Sequence, residues 1–128
     1  MQHSLAPWLT VADGHRALAF YQSAFGAVES YRLENPDGLI VLLAVEDAKF
    51  WVSGGPAGSQ AQPEEGPLGG GSVRMILTTR DPDALFDRAL RAGAVEVFPV
   101  GEGHGWRLGR LVDPFGLHWE IGHPLDGE

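Results

Sequence analysis

Two hydrophobic rhythms take turns along this chain, a two-residue alternation and a three-to-four-residue recurrence, and they do so in the same order twice. APWLTV, from Ala6, alternates apolar with polar positions as a half-buried strand does. ALAFYQSAF follows from Ala17, with Leu18, Tyr21, Ala24 and Phe25 forming the apolar stripe of a helix. Gly26 closes it, as a residue at ease in the left-handed region should. Three strand-like runs come next, Val28 to Leu33, Leu39 to Val45 and Ala48 to Ser53, parted by the turn signals NPDG and ED. The second half repeats the plan. SVRMILTT, from Ser72, reads as a strand, and ALFDRALRA, from Ala84, reads as a helix with Leu85, Ala89 and Leu90 as its stripe and Phe86 alongside. After Gly93 come Val95 to Val100, Trp106 to Val112 and Leu117 to Gly122, parted by GEGHG and DPFG. Asp13 and Asp81 precede the helices as N-caps, and Pro82 suits a first turn, where its missing N–H is not needed.

The tetrapeptide GAVE stands at residues 26 and 93, an offset of 67, and marks the two halves as copies of one unit. The predicted class is therefore α+β, with two tandem βαβββ repeats over about residues 5–53 and 72–122 of a single domain, 1–128. One repeat leaves a sheet face bare. Two placed edge to edge form a curved eight-strand mixed sheet with helices outside and a groove inside. Residues 54–71, GGPAGSQAQPEEGPLGGG, are too rich in Gly, Pro and small polar residues to pack, and read either as a plain linker or as a lid over the groove. DPFG reads as a structural turn, with Pro114 setting its angle early and Gly116 supplying the permissive conformation late.

Composition narrows the functions. There is no cysteine, which excludes disulfides, thiolate metal sites and a cysteine nucleophile, and the expected compartment is cytoplasmic. The N-terminal residues lack a signal-peptide pattern and no apolar run is long enough to span a bilayer. A net charge of −8 repels phosphate backbones, so nucleic acid is not an expected partner, whereas neutral or cationic molecules are compatible. Ser4, Ser53 and Ser72 lack any local histidine arrangement suited to nucleophilic catalysis, and LGGGS lacks the lysine and setting of a phosphate-binding loop.

The doubled plan, together with AFYQSAFGA and the run Gly109-Arg110-Leu111-Val112-Asp113-Pro114-Phe115-Gly116 followed by His118-Trp119-Glu120, resembles the vicinal oxygen chelate superfamily, in its PhnB-like branch. That superfamily includes glyoxalases, extradiol dioxygenases and bleomycin-resistance proteins. The resemblance covers Pro7 to Gly122 and implies pairing as a homodimer. It also implies a divalent metal bound near the start of the first strand and on the last strand of each half. Those positions are Ala6, Trp51, Arg74 and Glu120 in this chain, and of these only Glu120 can ligate a metal.

Candidate site residues follow from strand parity. Trp8, Trp51, Arg74 and Glu120 face the groove, Trp106 sits at a loop-to-strand junction, and Trp119 points toward the helices as core. Arg74 and Glu120 read as a charge pair, or as the anion-binding and cation-binding ends of a ligand site. The tryptophans either line an aromatic cavity or simply fill it. His118 and Glu120 lie two apart on one face and, with His104 from GEGHG, form the candidate metal set. His3, His15 and His123 read as surface residues. Two functions result: a metal-free protein that binds or sequesters a small molecule, cationic or aromatic, or a metal-dependent glyoxalase- or dioxygenase-like enzyme with an atypical metal site.

Overall fold

A computed structural model describes residues 4–59 and 73–125. The chain divides into two compact units, residues 1–63 and 64–128, and each is a βαβββ module. Unit 1 contains β1 (Trp8–Asp13), α1 (Gly14–Phe25), β2 (Val28–Asn35), β3 (Gly38–Val45) and β4 (Ala48–Gly55). Unit 2 contains β5 (Met75–Thr78), α2 (Pro82–Ala92), β6 (Val95–Gly103), β7 (Trp106–Val112) and β8 (His118–Pro124). Each unit has one four-stranded mixed sheet, ordered β1-β4-β3-β2 and β5-β8-β7-β6, in which the first pair is parallel and the other two antiparallel. This is the predicted α+β architecture.

The helices form where the caps and stripes require. Asp13 Oδ1 accepts from Arg16 N at 3.0 Å and Asp13 Oδ2 from Gly58 N at 2.8 Å, so one carboxylate starts α1 and pins the turn after β4. These two backbone donors hold the Asp13 carboxyl below its ordinary pKa. Asp81 caps α2 through Ala84 N at 3.1 Å. Gly26, at φ 69°, ends α1 in the left-handed region.

In unit 1, Ala17, Leu18, Phe20, Tyr21, Ala24 and Phe25 of α1 are all buried, and they pack on Leu9, Val11, Leu39, Val41, Leu43, Phe50 and Val52 of the sheet. Full burial of each large side chain contributes about 1.5–3 kcal/mol. The approach of α1 to the sheet is close enough to demand glycine at 54, where an added Cβ would lie 2.5 Å from the Gly14 Cα. In unit 2 the buried positions of α2 are Pro82, Phe86 and Ala89, whereas Leu85 and Leu90 are only half-buried. The stripe thus centres on Phe86, one residue along from Leu85, because its aromatic ring lies against Gly109, where an added Cβ would stand 2.9 Å from Phe86 Cε1.

Three boundaries differ from the sequence expectation. The alternation after Ser72 yields only the short β5, with Arg74 just before it. β4 runs on through Gly54 and Gly55, into the predicted linker, because these residues still pair with β1 and β3. The lid reading of the remaining linker rests mainly on residues 60–71, which lie outside those described. GEGHG belongs mostly to a strand: β6 continues to Gly103, and His104 and Gly105, at φ 52° and 83°, form a two-residue hairpin turn.

Candidate functional site

A four-stranded sheet backed by one helix has a second face, and in both units that face carries the candidate residues. In unit 1 the register aligns Trp8, Trp51, Leu42 and Tyr31 in one row across β1, β4, β3 and β2. Trp8 and Trp51 stack with ring centroids 5.7 Å apart at 23°, and Tyr31 meets Trp51 edge-on at 5.9 Å. Trp8 Nε1 donates to Ser53 Oγ at 2.9 Å, which fixes the indole while leaving it 52% exposed. The result is a flat aromatic surface on the side of the sheet away from α1.

In unit 2 the corresponding row is Ile76, Glu120, Arg110 and Phe98. It borders a cleft of about 540 Å³, whose walls include Ile76, Phe98, Trp106 and Leu108, with Glu120 among its acidic groups and His104 at the hairpin tip. That size suits a drug-sized molecule. The Glu120 side chain is 15% exposed, and Arg74 Nε lies 3.1 Å from its Oε2. The structure therefore brings Arg74, Trp106 and Glu120 together in unit 2, and Trp8 and Trp51 together in unit 1. Trp119 lies in the core at 3% exposure, as parity predicts.

His118 is buried and accepts a hydrogen bond at Nδ1 from Arg110 Nε, 3.1 Å away. That bond assigns the ring proton to Nε2. Burial, then the charge of Arg110, hold the imidazole below its ordinary pKa against the opposing charge of Asp113, and Arg74 adds a smaller push in the same downward direction. His118 is thus a neutral positioning partner for Arg110. Of the other histidines, His15 Nε2 lies 2.6 Å from Glu34 Oε2, and half-buried His123 donates from Nδ1 to the Pro124 carbonyl.

These partners decide how the metal candidates stand. A divalent ion needs several uncommitted donors converging on one point. Here Glu120 is held by a fixed guanidinium, the Nδ1 lone pair of His118 is taken by another, and its Nε2 bears a proton. Among the described residues no three His, Asp or Glu side chains gather closely enough to hold a metal ion. Among the described residues, Glu120, His118 and His104 do not converge as a ligand set for a divalent metal.

Two functional features escape the parity argument. Arg110 shares the outward face of β7 with Leu108, a relation present in the alternation of WRLGRLV but not its bond to His118, which crosses to β8. The second is Asp113. Its Oδ1 accepts from Phe115 N at 2.9 Å and Leu117 N at 3.0 Å, and its Oδ2 from Trp119 Nε1 at 2.9 Å. The DPFG turn is structural, as expected, but the carboxylate at its start locks the β7–β8 hairpin that carries Trp106, Arg110, His118 and Glu120.

Two βαβββ modules, each with an open sheet face, define the glyoxalase-like α+β class of proteins. The chain belongs to the glyoxalase-like domain family, whose model matches residues 8–122. A protein of Mycobacterium tuberculosis H37Rv, described only as uncharacterized, is 38% identical over 133 residues, covering 98% of this chain and 76% of its own. The crystal structure of an Arabidopsis thaliana gene product, At5g48480, matches with a TM-score of 0.64 and 28% identity over 94% of this chain and 97% of that one. TnmS3 of Streptomyces, an antibiotic-binding protein, has the same fold at a TM-score of 0.64, with 21% identity over 97% of this chain and 98% of its own.

Proposed function

We propose that this protein binds or sequesters a small molecule without metal chemistry, as a member of the glyoxalase/bleomycin-resistance type. The observation that carries this reading is the Arg74–Glu120 pair, in which a guanidinium stands 3.1 Å from the one carboxylate among the four positions that the superfamily resemblance implies for a metal. A charge pair there removes the Lewis acid that glyoxalase or dioxygenase chemistry would use, and leaves an aromatic-walled cleft suited to binding. The antibiotic-binding role of TnmS3, a neighbour in fold, supports the same direction. Trp106 and Glu120 are the proposed ligand contacts in unit 2, and the stacked Trp8 and Trp51 offer a second contact surface in unit 1.

Calorimetric titration of the chelator-free protein with Ni²⁺ and Zn²⁺ tests the reading. We expect no stoichiometric uptake, alongside a rise in melting temperature with apolar aromatic compounds in a thermal-shift screen. Stoichiometric metal binding that Glu120→Ala abolishes would establish the metal-dependent enzyme instead.

A further inference from the structure

We propose that the cleft of unit 2 selects organic cations, with the apolar body of the ligand against Phe98 and Trp106 and a protonated amine bonded to Glu120. The inference rests on the reading of this cleft as a ligand site and names what the site would take. Three observations converge on it. The first is charge: Glu102 and Glu120 lie on the cleft wall, whereas the neighbouring Arg74, Arg107 and Arg110 are not among the residues that line it. Arg107 reaches Glu102 only at 3.4 Å, because its guanidinium is committed to Asp83 at 2.6 and 2.8 Å. The lining itself thus presents carboxylates and no lysine or arginine, within a chain that carries −8, and a positive ligand suits both.

The second observation is the state of Glu120. Arg74 Nε makes an ion-pair contact with one oxygen, Oε2, and no hydrogen bond to this carboxylate is present among the described residues. A carboxylate has room for about four hydrogen-bond donors. The single ion-pair contact leaves that capacity open on the cleft side, where an ammonium would complete it. Arg74 itself is 47% exposed and is not among the residues that line the cleft, so its contact leaves the cleft side of the carboxylate accessible. The third observation is the wall. Phe98 and Trp106 present rings whose faces attract cations, and Ile76 and Leu108 supply apolar surface for the rest of the molecule. An anion entering the same space would meet two carboxylates and those same ring faces.

Three naphthalenes of matched shape test the proposal: 2-(aminomethyl)naphthalene, which is protonated at neutral pH, 2-naphthalenemethanol and 2-naphthoate. Each is titrated into protein labelled with ¹⁵N in its tryptophans, and the Trp106 indole N–H signal, assigned with Trp106→Phe, reports occupancy. The ammonium should bind roughly tenfold more tightly than the alcohol, the naphthoate most weakly, because a charge-assisted hydrogen bond is about twice as strong as a neutral one. Glu120→Gln should bring the ammonium-to-alcohol ratio to about one. Arg74→Gln, which releases Glu120 from its partner, should raise that ratio, and this variant keeps the test decisive if Glu120→Gln fails to fold. Equal binding of all three compounds, or a preference for the naphthoate, would overturn the cation proposal while leaving the cleft a ligand site. If none of the three shifts the Trp106 signal, the reading of the cleft as a ligand site falls as well.

Discussion

Replacing Asp113 with Asn changes one oxygen for one NH₂ and alters almost nothing in shape, so it isolates the electrostatic work of this side chain. Both Asp113 and Trp119 are 3% exposed, and water cannot substitute for a lost partner. If the new amide oxygen keeps the bonds from Phe115 N and Leu117 N, its NH₂ faces the Trp119 Nε1–H at 2.9 Å, donor against donor. Flipping the amide exchanges this conflict for two others. One buried donor left unsatisfied costs about 1–3 kcal/mol, and the surviving bonds lose the contribution of a charged acceptor, so the total expected is about 2–4 kcal/mol. Urea denaturation followed by circular dichroism gives the value directly. A double-mutant cycle with Trp119→Phe, which removes the opposing donor, should recover about 1–2 kcal/mol of it. A cost below about 0.5 kcal/mol for Asp113→Asn, or the same cost with and without the indole, would refute the claim that this carboxylate locks the hairpin.

Two further perturbations probe the frame around the site. His118 has its folded pKa depressed, so the unfolded chain binds the extra proton first, and stability should be full above about pH 6.5 and decline as pH falls through that value toward the folded pKa. Urea midpoints at pH 7.5 and 5.5 should show this loss in the wild type and a smaller one in His118→Gln; equal losses would assign the effect elsewhere. Gly54→Ala forces a Cβ against the backbone of Gly14 and should cost about 3 kcal/mol or more, whereas Gly103→Ala, which meets open space, should stay within about 0.5 kcal/mol by the same thermal or urea measurement.

The doubled βαβββ plan was legible in the chain because it is written in local terms. Alternation and helical recurrence place strands and helices, Asp13 and Asp81 cap, Gly26 and Gly93 terminate, and strand parity alone separates core Trp119 from outward-facing Trp8 and Trp51. The approximate parts were also local in origin: Leu85 and Phe86 are adjacent, and only packing against Gly109 decides which one the sheet accepts. Partnership between strands is another matter. Nothing in the order of residues states that Arg74 meets Glu120, that Arg110 crosses to His118 and fixes its tautomer, or that Asp113 gathers three N–H donors. Those contacts depend on register across β5, β8 and β7, which long-range hydrogen bonding sets, and they determine which charges are neutralised and which remain open to a ligand. The residue types at the site were thus determined by sequence, and their chemistry only by the sheet that brings them within about 3 Å of one another.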